Sequence, residues 1–384
     1  MARYTFLELV IDSRTGLNPR KNFALGNGNN YYITIKDIHD GRIVITDKTD
    51  KVDDAAIAII KKRSRIKNGD ILFTSIGRIG ETAIVTNKDD TWDVNESVFI
   101  FTLNTDLITQ EFFCALFQSK NVQDRLTRDS SGSTFKSIKM NQLEKMSFDI
   151  PGLEEQKKIS NLLKEANKLI ALRKEQLAKL DQLVKSRFIE LFMGKGYPTK
   201  TVDEVSMGKG EYGAQSASIG YDPTRPRYVR ITDINDDGTL NDDVVASINP
   251  SDDEQYKLEY GDFMFARMGA TVGKTYAFIE GNQIFAGYLI RYRLNPKLIN
   301  PRYLFWYTRL DEYWNWVKLN QSGAAQPGIN AKKYGSLQIP LPPIEEQNAF
   351  AAFVEQTDKS KLAIQQSLEK LELLKKSLMQ EFFG

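Results

Sequence analysis

The side chains best placed for chemistry lie beside two glycine pairs. Thr74, Ser75 and Arg78 surround Gly77 and Gly80, and Arg267, Thr271 and Lys274 surround Gly269 and Gly273. Hydroxyl, guanidinium and ammonium groups on a glycine turn suit hydrogen bonding to phosphate oxygens and to base edges. Glycine at such a turn would let the backbone approach a phosphate closely. A tight hairpin carrying solvated cations is the plainer alternative. Two polar loops add donors and acceptors: 129–136, with Ser133, Thr134 and Lys136, and 320–328, with Gln321 and Gln326. Lys36 and Arg230 stand beside a repeated tyrosine–isoleucine–aspartate segment, in which Asp37 and Asp233 read as turn caps. Tyr212 and Gln215 form one more candidate loop.

Catalytic constellations do not come out of the same search. The single histidine, His39, lies in an Asp-Ile-His-Asp-Gly turn, and the single cysteine is Cys114. Two such residues cannot build a Cys/His zinc cluster, so no metal is expected. Gly269-Ala-Thr-Val-Gly-Lys-Thr275 has glycines too close together for a phosphate-binding loop. An Asn-Pro-Pro-aromatic segment, which an adenine methyltransferase would carry, is absent. The acidic pairs Asp89-Asp90 and Asp252-Asp253 fall in turn-like runs and read as solvated. The chemistry is that of recognition, with no catalytic residue.

Bulk properties bound the reading. The chain has 384 residues, 41% hydrophobic and 27% charged, normal for an ordered globular protein of two or three domains. No apolar run is long enough to span a bilayer, the start lacks a secretory pattern, and one cysteine permits no internal disulfide; a cytoplasmic protein is expected. Net charge is only +2, with 21 basic against 20 acidic residues in 1–149 and 16 against 17 in 197–338. A nucleic-acid binder would have to segregate its charge locally. Lys61, Lys62, Arg63, Arg65 and Lys67 are one such cluster, or simply a solvated helix end.

These residues sit in a chain that repeats itself. Glu154-Glu155-Gln156 recurs as Glu345-Glu346-Gln347, and the register then holds without a gap through Glu190/Glu381 and Phe192/Phe383. Ile150-Pro151 and Ile339-Pro340 precede the two copies, the first two residues closer to its Glu-Glu-Gln. Gly69-Asp70-Ile-Leu-Phe73 answers Gly261-Asp262-Phe-Met-Phe265, Tyr32–Ile38 answers Tyr228–Ile234, and Ser131-Gly132 answers Ser322-Gly323. This is one duplication, not a short-period solenoid.

The gapless segments predict long helices over 154–192 and about 344–383, each roughly 55–60 Å long at 1.5 Å per residue. Apolar residues recur in a near three-four alternation, and the narrow stripe wants a second helix beside it. The seam residues are Leu162, Leu169, Leu177, Leu180 and Phe188 in the first helix, and Phe353, Leu368, Leu371, Leu374 and Leu378 in the second. The loose segments read as α+β domains. Strands are expected at 31–35, 71–75, 83–85 and 97–103, and at 228–231, 263–267, 275–279 and 288–294. Helices are expected at 110–119 and 301–319. Strands and helices do not alternate regularly, which argues against a doubly wound parallel sheet.

Two variable α+β domains, each followed by a fixed-length helix opened by Ile-Pro and Glu-Glu-Gln, resemble the DNA-specificity subunit of type I restriction–modification systems. The resemblance covers essentially the whole chain. It rests on Ile150–Gln156, Ile339–Gln347 and the two Gly-Asp-x-x-Phe segments, in that order, twice. It implies target-recognition domains at 1–149 and 197–338, conserved spacer helices at 150–196 and 339–384, and an antiparallel coiled coil with pseudo-two-fold symmetry. It implies double-stranded DNA as ligand, read as two unlike half-sites, with two methyltransferase subunits and restriction–translocase subunits as partners. S-adenosylmethionine would be held by the methyltransferase, with no cofactor on this chain. The residues leave two competitors: a coiled-coil adaptor whose globular domains bind proteins, favoured by the near-neutral charge, and a stand-alone hydrolase, against which stands the lack of any His-, Cys- or metal-centred constellation in the sequence.

Overall fold

The computed structural model describes residues 1–18, 22–39, 41–130, 136–249, 254–323 and 327–384. They form two compact units, one of Met1–Arg173 with Ser367–Gly384, the other of Lys174–Gln366. Each unit contains one half of each of two 40-residue helices, Leu153–Phe192 and Ile344–Phe383.

The first unit is built on a four-stranded antiparallel sheet in the order Val10–Thr15, Val98–Leu103, Ile71–Thr74, Thr82–Ile84. Strand Ile71–Thr74 is buried on both faces, because Ile71 and Phe73 enter one apolar core while Leu72 enters another. A smaller sheet sets Asn30–Ile33 parallel to Trp92–Val94, and Ala2–Thr5 closes against Ser147–Ile150. The second unit repeats this plan. Its main sheet runs Glu211–Tyr212, Leu289–Arg293, Asp262–Ala266, Thr275–Ala277. Arg227–Val229 is parallel to Gln283–Phe285, and Thr199–Thr201 closes against Gln338–Pro340. The expected strands are all present, trimmed where residues 35 and 231 begin 3-10 turns instead.

One expected helix is two. The segment 301–319 divides into Pro301–Tyr307 and Asp311–Asn320. Leu310 turns into the core at the break, and the buried Thr308 hydroxyl donates to the Phe305 carbonyl at 2.8 Å. The first unit breaks similarly at Ser119, between Gln110–Gln118 and Lys120–Asp129.

The long helices complete each core. In the first unit Ile159, Leu163 and Phe383 join Phe73, Phe101, Phe113 and Phe117. In the second, Val184, Phe188, Phe192, Phe350 and Val354 join Phe263, Phe265 and Tyr303. There Phe192 packs on Phe350 and Lys361 pairs with Asp181, so the helix halves of that unit run antiparallel. The seam differs in detail from the expected one. Leu162 and Leu169 are 46% and 44% exposed, and their neighbours Leu163 and Ile170 face inward instead. One step along a helix turns the side chain by about 100°. Leu374 is also exposed, whereas Phe188 and Leu368 are buried and Leu177, Leu180, Phe353, Leu371 and Leu378 are half-buried.

The repeated Glu-Glu-Gln has a structural reason. Gln156 is fully buried; its side-chain oxygen accepts from Thr109 N–H at 2.8 Å, and its amide donates to the Leu107 and Pro151 carbonyls, both at 2.8 Å. Gln347 repeats all three bonds, accepting from Asn300 N–H at 2.9 Å and donating to Leu298 at 3.1 Å and Pro342 at 2.8 Å. Thr109 and Asn300 are the N-caps of the following short helices, so each glutamine ties a long helix to its domain. The matching partner of Pro151 is therefore Pro342, not Pro340. The helix entries are equally long, and the asymmetry in the Ile-Pro spacing lies upstream of them.

Candidate nucleic-acid interface

The Gly-Asp pairs fix the strands that carry the candidate residues. Gly69 and Gly261 adopt φ of +88° and +90°, a left-handed turn that favours glycine. The aspartates that follow are buried. Asp70 accepts from Lys67 N–H at 2.9 Å and from Arg14 at 2.9 Å; Asp262 accepts from Glu259 N–H at 3.0 Å and lies 3.5 Å from Arg291. Burial pushes the Asp262 carboxyl above its usual range, against the opposing pull of that N–H and of Arg291 and Arg293. The motif shared by the halves is thus a turn plus a buried ion pair.

Beyond the strand comes the glycine turn, and it is only half open. Gly77 is exposed and Gly269 half-buried with free space around it, at φ of +70° and +69°. Gly80 and Gly273 turn inward: a Cβ on Gly80 would lie 2.5 Å from Gln123 and 2.7 Å from Leu126, and one on Gly273 2.8 Å from Trp314. These second glycines serve helix packing, not approach to a phosphate.

Thr74 and Ser75 are not available to a ligand either. Both are buried; Thr74 Oγ1 donates to the Arg78 carbonyl, and Ser75 Oγ donates to the Ser97 carbonyl at 2.8 Å. Arg78, half-exposed, bonds the Ile35 and Ile38 carbonyls at 3.2 Å, His39 Nδ1 at 2.9 Å and Glu81 at 2.9 Å. Lys274 bonds the Ile234 carbonyl at 3.1 Å and Asp236 at 2.8 Å, holding that exposed carboxyl below its usual range. Ile38 and Ile234 are equivalent in the repeat. Both halves therefore strap the glycine turn to the 3-10 turn with one cation. The partly exposed Arg78–Glu81 pair contributes at most about 1 kcal/mol, so a phosphate can compete for Arg78; Lys274, with a side chain only 21% exposed, is less open to one.

The 3-10 turns behave as the sequence implies. Asp37 accepts from Thr34 N–H and Thr49 Oγ1 at 2.8 and 2.9 Å, and Asp233 accepts from Arg230 N–H at 2.9 Å. Lys36 is exposed beside the first. Arg230 is largely consumed by Asp233 and the Val244 carbonyl, each at 2.8 Å. Thr271 donates to the Met268 carbonyl at 3.1 Å. Lys136 is exposed, and its carbonyl accepts from Gly77 N–H at 3.1 Å, which sets this residue against the glycine turn. Gln321 is exposed at the end of helix Asp311–Asn320. Ser133, Thr134 and Gln326 lie outside the described residues.

One group in the second unit is brought together closely. The Arg267 guanidinium lies 4.6 Å from the centre of the Tyr212 ring. Tyr212 is fixed by pairing with Ile290 and by a hydrogen bond from Ala331 N–H to its hydroxyl, 3.2 Å. Arg267 N–H donates to the Tyr288 carbonyl at 3.0 Å, and Tyr288 is 57% exposed. Gln215 packs against Gly287, where an added Cβ would meet its amide at 2.1 Å. The sequence reading named Tyr212, Gln215 and Arg267 but missed Tyr288. Its one signal was an aromatic directly after a glycine at the start of a strand.

A duplicated frame that offers different polar side chains at equivalent places defines a two-headed recognition protein. The family described as "Type I restriction modification DNA specificity domain" matches residues 6–182 and 215–374, and the chain belongs to that family. It is 26% identical over 386 residues to the putative type I restriction enzyme MjaX specificity subunit of Methanocaldococcus jannaschii, covering 91% of this chain and 85% of that one. Its fold is shared with the type I restriction–modification S subunit from M. genitalium (TM-score 0.61, 13% identity, 100% and 96% of the two chains covered). It is shared equally with a chain from a study of complex assembly and conformational transition in the type I R-M system (TM-score 0.61, 19% identity, 100% and 97% covered). Among the described residues no helix is long and apolar enough to cross a membrane.

Proposed function

We propose that this chain is the sequence-reading subunit of a type I restriction–modification complex. Segments 1–149 and 197–338 are its two target-recognition domains, and each reads one half of a bipartite, asymmetric site on double-stranded DNA. The helical segments 150–196 and 339–384 are the spacer and the seat of two methyltransferase subunits, with restriction–translocase subunits joining for cleavage. Exposed Leu162, Leu169 and Leu374 are apolar surface that such a partner would cover. The chain contributes recognition and no catalytic group; S-adenosylmethionine belongs to the methyltransferase, and the complex works in the cytoplasm.

The observation that carries this reading is the family match across both halves of a chain whose halves share a frame but not their polar side chains. A protein-binding adaptor would fit the near-neutral charge of the two units, but it leaves the family match across both halves without a reason. The test is to co-express the chain with the methyltransferase subunit of its system and map methylated adenines genome-wide. One gapped, asymmetric motif with a modified adenine in each half is expected. A stable complex that methylates nothing would return the question to the adaptor.

A further inference from the structure

Arg267 stands apart from the other arginines of its unit. Arg187, Arg225, Arg227, Arg230, Arg291, Arg293 and Arg302 each face a carboxylate. Arg309 is spent on Thr275, Thr308 and the Phe305 carbonyl. Among the described residues Arg267 has neither a carboxylate nor a hydrogen-bond acceptor, and its Nε is enclosed without a partner. What lies against it is the Tyr212 ring, with its centre 4.6 Å from the guanidinium carbon. A guanidinium held over an aromatic face keeps its terminal nitrogens available as donors and loses less freedom when it binds.

The frame identifies its counterpart. Ser75 N–H donates to the Ser97 carbonyl at 2.9 Å and the Ser75 carbonyl accepts from Ile138 N–H at 2.9 Å; Arg267 N–H donates to the Tyr288 carbonyl at 3.0 Å and its carbonyl accepts from Ile329 N–H at 2.9 Å. The same backbone position carries a buried serine in one half and, in the other, an arginine that lies over a tyrosine ring and has no carboxylate partner among the described residues.

Resting on the DNA-reading function proposed above, we infer that Arg267, braced on Tyr212, reads a guanine in the half-site of the second unit, and that Ser75 leaves the first unit without that contact. Two parallel donors of a guanidinium match O6 and N7 of guanine in the major groove, a pattern no other base presents. The absence of a competing carboxylate matters here: an arginine already paired would have to give up its partner first.

The test uses the full chain assembled with its methyltransferase subunits. After the motif is mapped, each guanine in turn is replaced by 7-deazaguanine, which lacks the N7 acceptor, and affinity is measured by competition. Wild-type complex should lose roughly ten- to a hundredfold at one guanine, in one half-site only. Arg267→Ala should lose a similar factor on the unmodified site, become indifferent to 7-deazaguanine at that base, and keep wild-type sensitivity throughout the other half. That retained half-site also reports that the variant is folded. If Arg267→Ala fails to assemble, Arg267→Met replaces it: it keeps an unbranched apolar stem against Tyr212 but has no donor, and is expected to bind while losing the discrimination for guanine at that base. Undiminished guanine discrimination by either variant, or a wild-type complex insensitive to 7-deazaguanine in both halves, overturns the inference. A wild-type complex with no bipartite site at all overturns the function beneath it instead.

Discussion

Replacing Gln156 by alanine removes three hydrogen bonds from a side chain with no solvent access, leaving Thr109 N–H and the carbonyls of Leu107 and Pro151 without their partner. An unsatisfied buried polar group costs about 1–3 kcal/mol. These three backbone groups are only half-buried, so water reaches them in part and the lower figure applies, for a total of about 3 kcal/mol. Urea unfolding of the full chain should show the loss in the transition of the first unit, and Gln347→Ala should produce the same loss in the second. Gln156→Glu is the sharper variant. At neutral pH it sets a carboxylate against two carbonyl oxygens and should destabilise more than alanine does. Such a carboxyl has its folded-state pKa raised above the unfolded value. Its protonated form, able to donate again, therefore favours folding below the ordinary glutamate range, and that stability is lost as pH rises through the folded pKa. A loss under about 0.5 kcal/mol for alanine, or a glutamate variant equal to wild type at pH 7, would refute the anchoring role.

Other outcomes follow from single sites. Arg14→Met strands the buried Asp70 carboxylate and should cost about 3–5 kcal/mol by thermal or urea unfolding, far more than Arg3→Met at the exposed Asp149 pair. Gly273→Ala puts a Cβ against Trp314 and Val317 at a φ of +90°, and should lower the melting temperature measurably; alanine at Gly41, which shares the left-handed backbone at φ of +77° but has open space around it, should do so less. Burial pushes the Cys114 thiol up to about 11, so native protein at pH 8 should alkylate roughly two orders of magnitude more slowly than unfolded chain, and the rate should climb with pH toward that value.

Legibility divided along physical lines. The duplication, the long helices and the strand positions could be read because periodicity and repeated glycines report backbone geometry directly. Asp37 and Asp233 were readable as turn caps because the bonds that make the cap, from Thr34 N–H and Arg230 N–H, are local. Thr74 and Ser75 were misjudged as binding residues because nothing in their neighbourhood of sequence says that Glu81 and Ser97 cover them across the sheet. The same gap hid the inward turn of Gly80 and Gly273, which depends on helices far along the chain. Leu162 and Leu169 were placed on the seam because adjacent leucine and isoleucine pairs leave the facing member ambiguous by one position. Arg267 was named for its type; that it lacks a partner while its neighbours have theirs is visible only in three dimensions.

The most direct test of the central claim, one unit per half-site, is to exchange residues 197–338 for the corresponding segment of another family member with a different target, and to map adenine methylation again. The account predicts that one half of the motif changes to the donor's while the other half and the gap stay as they were. A motif altered in both halves, or in neither, would contradict it.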